Sequence, residues 1–241
     1  MIVDGSGCRW RVPDIRGSAL DGVEVEIRSI DLDDAALNAP EDLSAAERAR
    51  SARLTSPLLA RRFVAARVAL RRLLALRLGE RTPRDVIIDE SAIDGKPRLT
   101  QGSQRPDLHF NIARSGPAGL IAIASAEVGV DLELPHALFG DPGFQRRFLS
   151  AAEMRAISAL APDAQARDGG RRWVRKEAIL KAVGLGLSHS PTLLELEASL
   201  LDRGSAMLNG PDRRPRHVRW QDLALADGTV FAAVACSQPA D

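Results

Sequence analysis

The sequence predicts an α+β protein of two similar halves, and three ordered matches between the halves carry that prediction. The pentapeptide Leu-Ser-Ala-Ala-Glu occurs at 43–47 and again at 149–153, 106 residues later. After each copy a helical pattern opens on a related tetrapeptide, Arg61-Arg-Phe-Val64 in one half and Arg171-Arg-Trp-Val174 in the other. Before each copy lies an alternating run, Val23-Glu-Val-Glu26 and Val128-Gly-Val-Asp131. Each half therefore reads as strand, capped helix and longer helix. The join is expected near Ser125–Val128, dividing the chain into 1–125 and 126–241.

Both pentapeptides are capping boxes, with Ser44 and Ser150 as N-caps and Glu47 and Glu153 reaching back from the third helical position. Strands are expected at Val23–Ile30, Val86–Asp89, Leu108–Ile112, Leu120–Ala124, Val128–Leu134, Val218–Leu225 and Val230–Cys236, from alternating or continuous apolar runs. The strongest helix spans Pro57 to Leu78, where Leu59, Phe63, Ala66, Leu70, Leu73 and Leu74 form one stripe and Gly79 is placed to stop it. A second runs from about Arg171 to Val183 and stops at Gly184.

Composition narrows the function classes. With 45% hydrophobic and 27% charged residues among 241, an ordinary globular makeup is expected. Thirty-three basic against 32 acidic residues leave +1, too balanced for a protein that lives on nucleic-acid phosphates. Aromatics are 4% and Tyr is absent, which leaves little for stacking on bases. Cys8 and Cys236 form no CxxC pattern, so neither a disulfide framework nor a zinc site is signalled, and a reducing cytoplasm is expected. No run approaches the ~18 apolar residues of a membrane span, and the first ten residues do not read as an export signal.

Duplicated scaffolds diverge at sites. Aligning the two tetrapeptides sets Arg67 and Arg71 of the first helix against Glu177 and Lys181 of the second. In the strand Gly129-Val-Asp-Leu-Glu-Leu134, Asp131 and Glu133 project from one face about 7 Å apart. Such a pair serves either as a solvated outer face or as oxygen ligands for a hard cation, since Mg²⁺ is bound by one or two carboxylates together with phosphate oxygens and water. Trp173, Glu177 and Lys181 share a helix face, adding a third carboxylate and a cation. A lone exposed ion pair would account for the last two residues, but three carboxylates and a lysine together are a minimal kit for displacement at phosphorus.

These residues, GVDLE at 129–133 and WVRKEAILKAVGLGL at 173–187, resemble the Sfp-type 4′-phosphopantetheinyl transferases. Gly95-Lys-Pro97, His109-Phe-Asn111 and Phe148-Leu-Ser-Ala-Ala-Glu153 extend the resemblance over roughly residues 40–200. It implies two pseudo-symmetric α/β lobes with the active site in the cleft between them, and transfer of phosphopantetheine from coenzyme A to a serine of an apo acyl, aryl or peptidyl carrier protein. It implies Mg²⁺, with Mn²⁺ as a substitute, held by Asp131, Glu133 and Glu177. Lys181 is implied to contact the diphosphate, and Glu177 to act as general base. Lys96 and Arg62 are implied on the nucleotide side, with Arg50 for the 3′-phosphate. Two lobes in one chain make a monomer sufficient for the cleft.

One departure stands out. Where the family runs Ser-His-Ser after the asparagine, this chain has Asn111-Ile-Ala-Arg-Ser115, so Ala113 and Arg114 replace a hydroxyl and an imidazole. Arg114 can still clamp a phosphate through its planar fork. The rival reading is a non-catalytic paralogue that holds coenzyme A or a carrier protein. His109 is expected to be a strand residue rather than a catalyst. The arginines at 61, 62, 67, 71, 72 and 77 are divided between solvated surface, anion site and docking surface.

Overall fold

A computed structural model describes residues 20, 22–90, 95–100, 107–186, 189–196, 201–224 and 230–239. Cys8, Leu187 and Leu225 lie outside them. The chain is a mixed helix and sheet protein. In order it forms β1 (Val25–Asp31), α1 (Ala45–Ala52), α2 (Pro57–Leu78), β2 (Ile88–Asp89), β3 (Arg98–Leu99), β4 (His109–Ser115), β5 (Ala118–Ala124) and β6 (Glu127–Glu133). It continues with α3 (Pro142–Gln145), α4 (Ala151–Ser158), α5 (Pro162–Val183), β7 (Arg203–Asn209), β8 (Pro215–Asp222) and β9 (Phe231–Pro239).

The larger sheets are antiparallel, with orders β1-β5-β4 and β6-β9-β8-β7. In each, the first strand in sequence pairs with the last, and the last with the one before it. The sheets face one another through Val25, Ile27, Leu120 and Ala122 on one side and Val128, Val130, Leu132, Ala232 and Val234 on the other. Helix α2 covers the far side of the first sheet through Ala66, Leu70 and Leu74 against Phe110, Ile121 and Ile123. Helix α5 covers the far side of the second through Val174, Ala178 and Ile179 against Val218, Ala233 and Ala235. Strand β5 is buried along its whole length, which is why it reads as a continuous apolar run.

Both capping boxes form, Ser44 with Glu47 and Ser150 with Glu153. Each glutamate has a second task. Glu47 accepts from Nε of both Arg67 and Arg71 of α2, and Glu153 accepts from Arg172 and Lys176 of α5. The long helices are both 22 residues, both begin on proline and both end at a left-handed glycine, Gly79 and Gly184. These correspondences correct the alignment drawn from the tetrapeptides. Arg67 and Arg71 answer Arg172 and Lys176, and Glu177 and Lys181 have other counterparts.

Helix α5 starts at Pro162, nine residues before the expected Arg171. Gly169 and Gly170 lie inside the helix, where the packing leaves no room for side chains. A Cβ at 169 would stand 2.3 Å from the Phe139 carbonyl oxygen, and one at 170 would stand 2.3 Å from the Phe231 ring. Strand β7 was not expected. It is an edge strand whose inward positions, Gly204, Ala206 and Leu208, are only half-buried.

Burial alone would raise the Glu47 carboxyl, but Arg67, the Ser44 amide and Arg71 outweigh it and hold it below its ordinary 4.5. A carboxyl lowered on folding stabilises above its unfolded value, and that contribution is lost as pH falls through the folded one. Glu47→Gln is therefore expected to lower stability by about 3–5 kcal/mol at pH 7 in urea titrations, because buried Arg71 loses its carboxylate partner among the described residues and buried Arg67 keeps only Glu90. The gap from wild type should narrow as pH falls below 4.5. A further constraint sits at Gly129, where a Cβ would lie 2.1 Å from the Ala178 carbonyl oxygen and 2.4 Å from the Ala182 nitrogen. Gly129→Ala should cost about 1–3 kcal/mol by the same measurement, through overpacking at that contact.

Candidate active site

Helix α5 lies on β6 with backbone nearly touching backbone at Gly129. Alternation along β6 sends Val128, Val130 and Leu132 into the core between the sheets, so Asp131 and Glu133 share the other face with Gly129, under the last turns of α5. Lys181 Nζ donates to Asp131 Oδ1 at 2.6 Å and to the Val130 carbonyl at 3.3 Å. Glu177 stands one helical turn away and interacts electrostatically with Asp131, Glu133 and Lys181. Strand and helix thus bring together Asp131, Glu133, Glu177 and Lys181.

Asp131 is 5% exposed. Burial pushes its carboxyl up to about 7, against the pull of Lys181, with Glu177 and Glu133 adding to the rise. Burial likewise raises Glu177, opposed by Lys181 and reinforced by Glu133. Lys176, the neighbour of Glu177, is turned inward and wholly buried on Glu153 and the carbonyls of Phe148 and Pro191, so it anchors the helix. Trp173 packs on Phe144 and Phe148 rather than on the carboxylates.

Two residues not singled out for the site tie the sheets together beside it. Asn111 Oδ1 of β4 accepts from the Val130 amide at 2.9 Å. Ser115 Oγ accepts from the Leu134 amide at 3.2 Å and donates to Glu133 Oε2 at 2.7 Å. Strand β6 is an edge, and these side chains satisfy amides that an edge leaves open. The sequence signal was present in the Asn111–Ser115 segment, but which side chains reach β6 depends on how two sheets are placed.

The cations expected on the nucleotide side are dispersed among different tasks. Arg50 and Arg114 both lie over the Phe63 ring, at 5.4 and 6.0 Å from its centre, so the structure brings these two together. Arg50 also approaches Glu90 at 3.5 Å, whereas Arg114 has no acidic partner among the described residues. Arg62 forms a two-point pair with Asp33 at 2.9 and 2.7 Å. Lys96 is buried, paired with Glu127 at 2.5 Å, and donates to the Ala182 carbonyl at 3.2 Å, where it caps the negative end of α5. His109 lies 3.7 Å from the same Glu127, and burial holds its imidazole below the ordinary value despite that acid.

Among the described residues no three His, Cys, Asp or Glu side chains are gathered to hold a metal ion, so the expected trio is not preassembled. Lys181 donates to Asp131 Oδ1, and Ser115 to Glu133 Oε2. The donor chemistry nevertheless suits a hard divalent cation. Asp131 Oδ2 and Glu177 Oε1 are buried and accept no hydrogen bond. Leaving a buried acceptor unsatisfied costs roughly 1–3 kcal/mol, a penalty that a cation would relieve.

Comparison with known proteins shows the family. The profile of the 4′-phosphopantetheinyl transferase superfamily matches residues 127–235, which include β6 and α5. A 4′-phosphopantetheinyl transferase of Bacillus subtilis is 33% identical over 146 residues, 60% of this chain and 61% of its own length. One of Bacillus pumilus is 33% identical over 130 residues, 54% of this chain and 53% of its own. The chain thus spans little more than half of these two relatives. The 4′-phosphopantetheinyl transferase HetI of Nostoc sp. is 30% identical over 228 residues, covering 94% of this chain and 85% of the relative. Since that match runs through both halves, and the strand and helix that carry the carboxylates fall within the profile, the chain belongs to the 4′-phosphopantetheinyl transferase superfamily.

Proposed function

We propose that the chain transfers 4′-phosphopantetheine from coenzyme A to a serine of an apo acyl, aryl or peptidyl carrier protein, releasing 3′,5′-ADP. The observation that carries this reading is the pair of buried, unpartnered carboxylate oxygens of Asp131 and Glu177 beside Lys181, in a chain of this superfamily. Asp131, Glu133 and Glu177 would hold Mg²⁺ or Mn²⁺. Such an ion supplies charge neutralisation on pyrophosphate oxygens.

The remaining chemistry falls to side chains. The carrier serine loses its proton as its oxygen attacks the β-phosphorus, and the bond from that phosphorus to the oxygen bridging it to the adenosine phosphate breaks. Glu177, whose carboxyl burial makes more basic than usual, accepts the proton directly or through a water. Lys181 moves its charge from Asp131 to the diphosphate as substrate enters, stabilising the departing 3′,5′-ADP. Arg114, free of acidic partners among the described residues and held against Phe63, takes over phosphate binding where the family has a histidine.

The two sheets with their long helices act as lobes, 1–125 and 126–241, and the cleft is the seam between β4 and β6. Their matching strand order and capping-box anchors support that division. A cleft within one chain makes a monomer the working form. Intact-mass spectrometry of apo carrier proteins incubated with the chain, coenzyme A and Mg²⁺ should show the gain of one phosphopantetheine. Glu177→Gln should slow that gain by about 10²–10⁴-fold, the usual share of a general base. Coenzyme A binding with no mass gain across a panel of carriers would favour a non-catalytic binder.

A further inference from the structure

Each acid of the Asp131–Glu133 pair has one carboxylate oxygen held by a protein donor. Lys181 Nζ holds Asp131 Oδ1 at 2.6 Å and leaves Oδ2 buried and unpartnered. Ser115 Oγ holds Glu133 Oε2 at 2.7 Å, and no described residue hydrogen-bonds to Oε1. The Ser115 contact has a fixed direction. Its hydroxyl already accepts the Leu134 amide at 3.2 Å, so its one proton is committed to Glu133. Its place is fixed as well: Ser115 is the last residue of β4, and the turn that follows has Gly116 at φ 58°, with Leu134 Cδ1 packed 2.6 Å from where a Cβ would stand.

A carboxylate oxygen that accepts a short hydrogen bond keeps a second lone pair but is held in place and weakened as a ligand, so Glu133 presents its other oxygen first to a cation. That distinction separates divalent ions. Ca²⁺ fills six to eight positions and commonly takes both oxygens of a carboxylate, whereas Mg²⁺ demands a near-octahedral shell that single oxygens and waters supply. We infer that Ser115 is a specificity-determining positioning residue, which restricts Glu133 to one-oxygen ligation and so selects Mg²⁺ over Ca²⁺. The inference rests on the cation reading of the site given above. It adds a residue from the first sheet to a cation site otherwise built from β6 and α5, and it gives the Ser115–Glu133 bond a task beyond joining the two sheets.

The test is calorimetric titration of Mg²⁺ and of Ca²⁺ into the full chain with coenzyme A and no carrier protein, so that binding is read without turnover. Wild type should bind Mg²⁺ in preference to Ca²⁺. In Ser115→Ala the ratio of the two affinities should fall about tenfold, the usual scale for losing a partner that orients a ligand, chiefly through tighter Ca²⁺ binding. Ser115→Thr, which keeps the hydroxyl, should restore the ratio. Ser115→Ala also removes the acceptor of the Leu134 amide. If it fails to fold by circular dichroism, Ser115→Cys, a weak donor of similar shape, takes its place with the same expectation. A folded Ser115→Ala or Ser115→Cys chain that keeps the wild-type ratio of Mg²⁺ to Ca²⁺ affinity overturns the inference. A wild-type chain that binds coenzyme A but neither ion overturns the cation reading beneath it, a different result.

Discussion

The site depends on one close contact, α5 resting on β6 where Gly129 has no side chain to hold them apart. A strand and a helix ordinarily meet through side chains. Here the Ala178 carbonyl and the Ala182 amide occupy the space a Cβ would need. Because the helix comes in so close, Lys181 can reach Asp131 and the Val130 carbonyl from above. The strand's period of two then sets Asp131 and Glu133 on the same face as that glycine. The glycine of GVDLE is thus as much a determinant of the site as its acids.

The rest of the architecture keeps that contact in place. Glu153 caps α4 and grips Arg172 and Lys176 inside α5, fixing the helix along its length and in rotation. Lys96 caps its last turn through the Ala182 carbonyl, and Asp222 holds Arg171 and Arg175 from the second sheet. Buried ion pairs of this kind contribute little net stability over an apolar core, but losing one partner leaves a bare buried charge. They specify geometry. In the first half Glu47, Arg67 and Arg71 repeat the device on α2.

Against this rigid frame the carboxylates are costly. Asp131 is nearly solvent-free with one oxygen unpartnered and its carboxyl pushed up to about 7, and Glu177 is raised by the same burial. A fold selected for stability alone would place apolar side chains there. The unpartnered oxygens of Asp131 and Glu177 beside Lys181 are what the proposed ligand role rests on.

Much of this was legible beforehand because it is local. Capping boxes, the left-handed stops at Gly79 and Gly184 and the alternation of β6 depend on residues within a few positions of one another, and all formed as read. What sequence alone determined is which chemistry is present and which face of its own element carries it. Tertiary structure decided the partners. It carried α5 back to Pro162 with Gly169 and Gly170 as close-packing positions inside it, and showed that Arg67 and Arg71 answer Arg172 and Lys176. It buried Lys96 against Glu127 and brought Ser115 to Glu133. Each of these is a contact between elements far apart in the chain. Local periodicity fixes the direction of a side chain within its element but not which element will be packed opposite it.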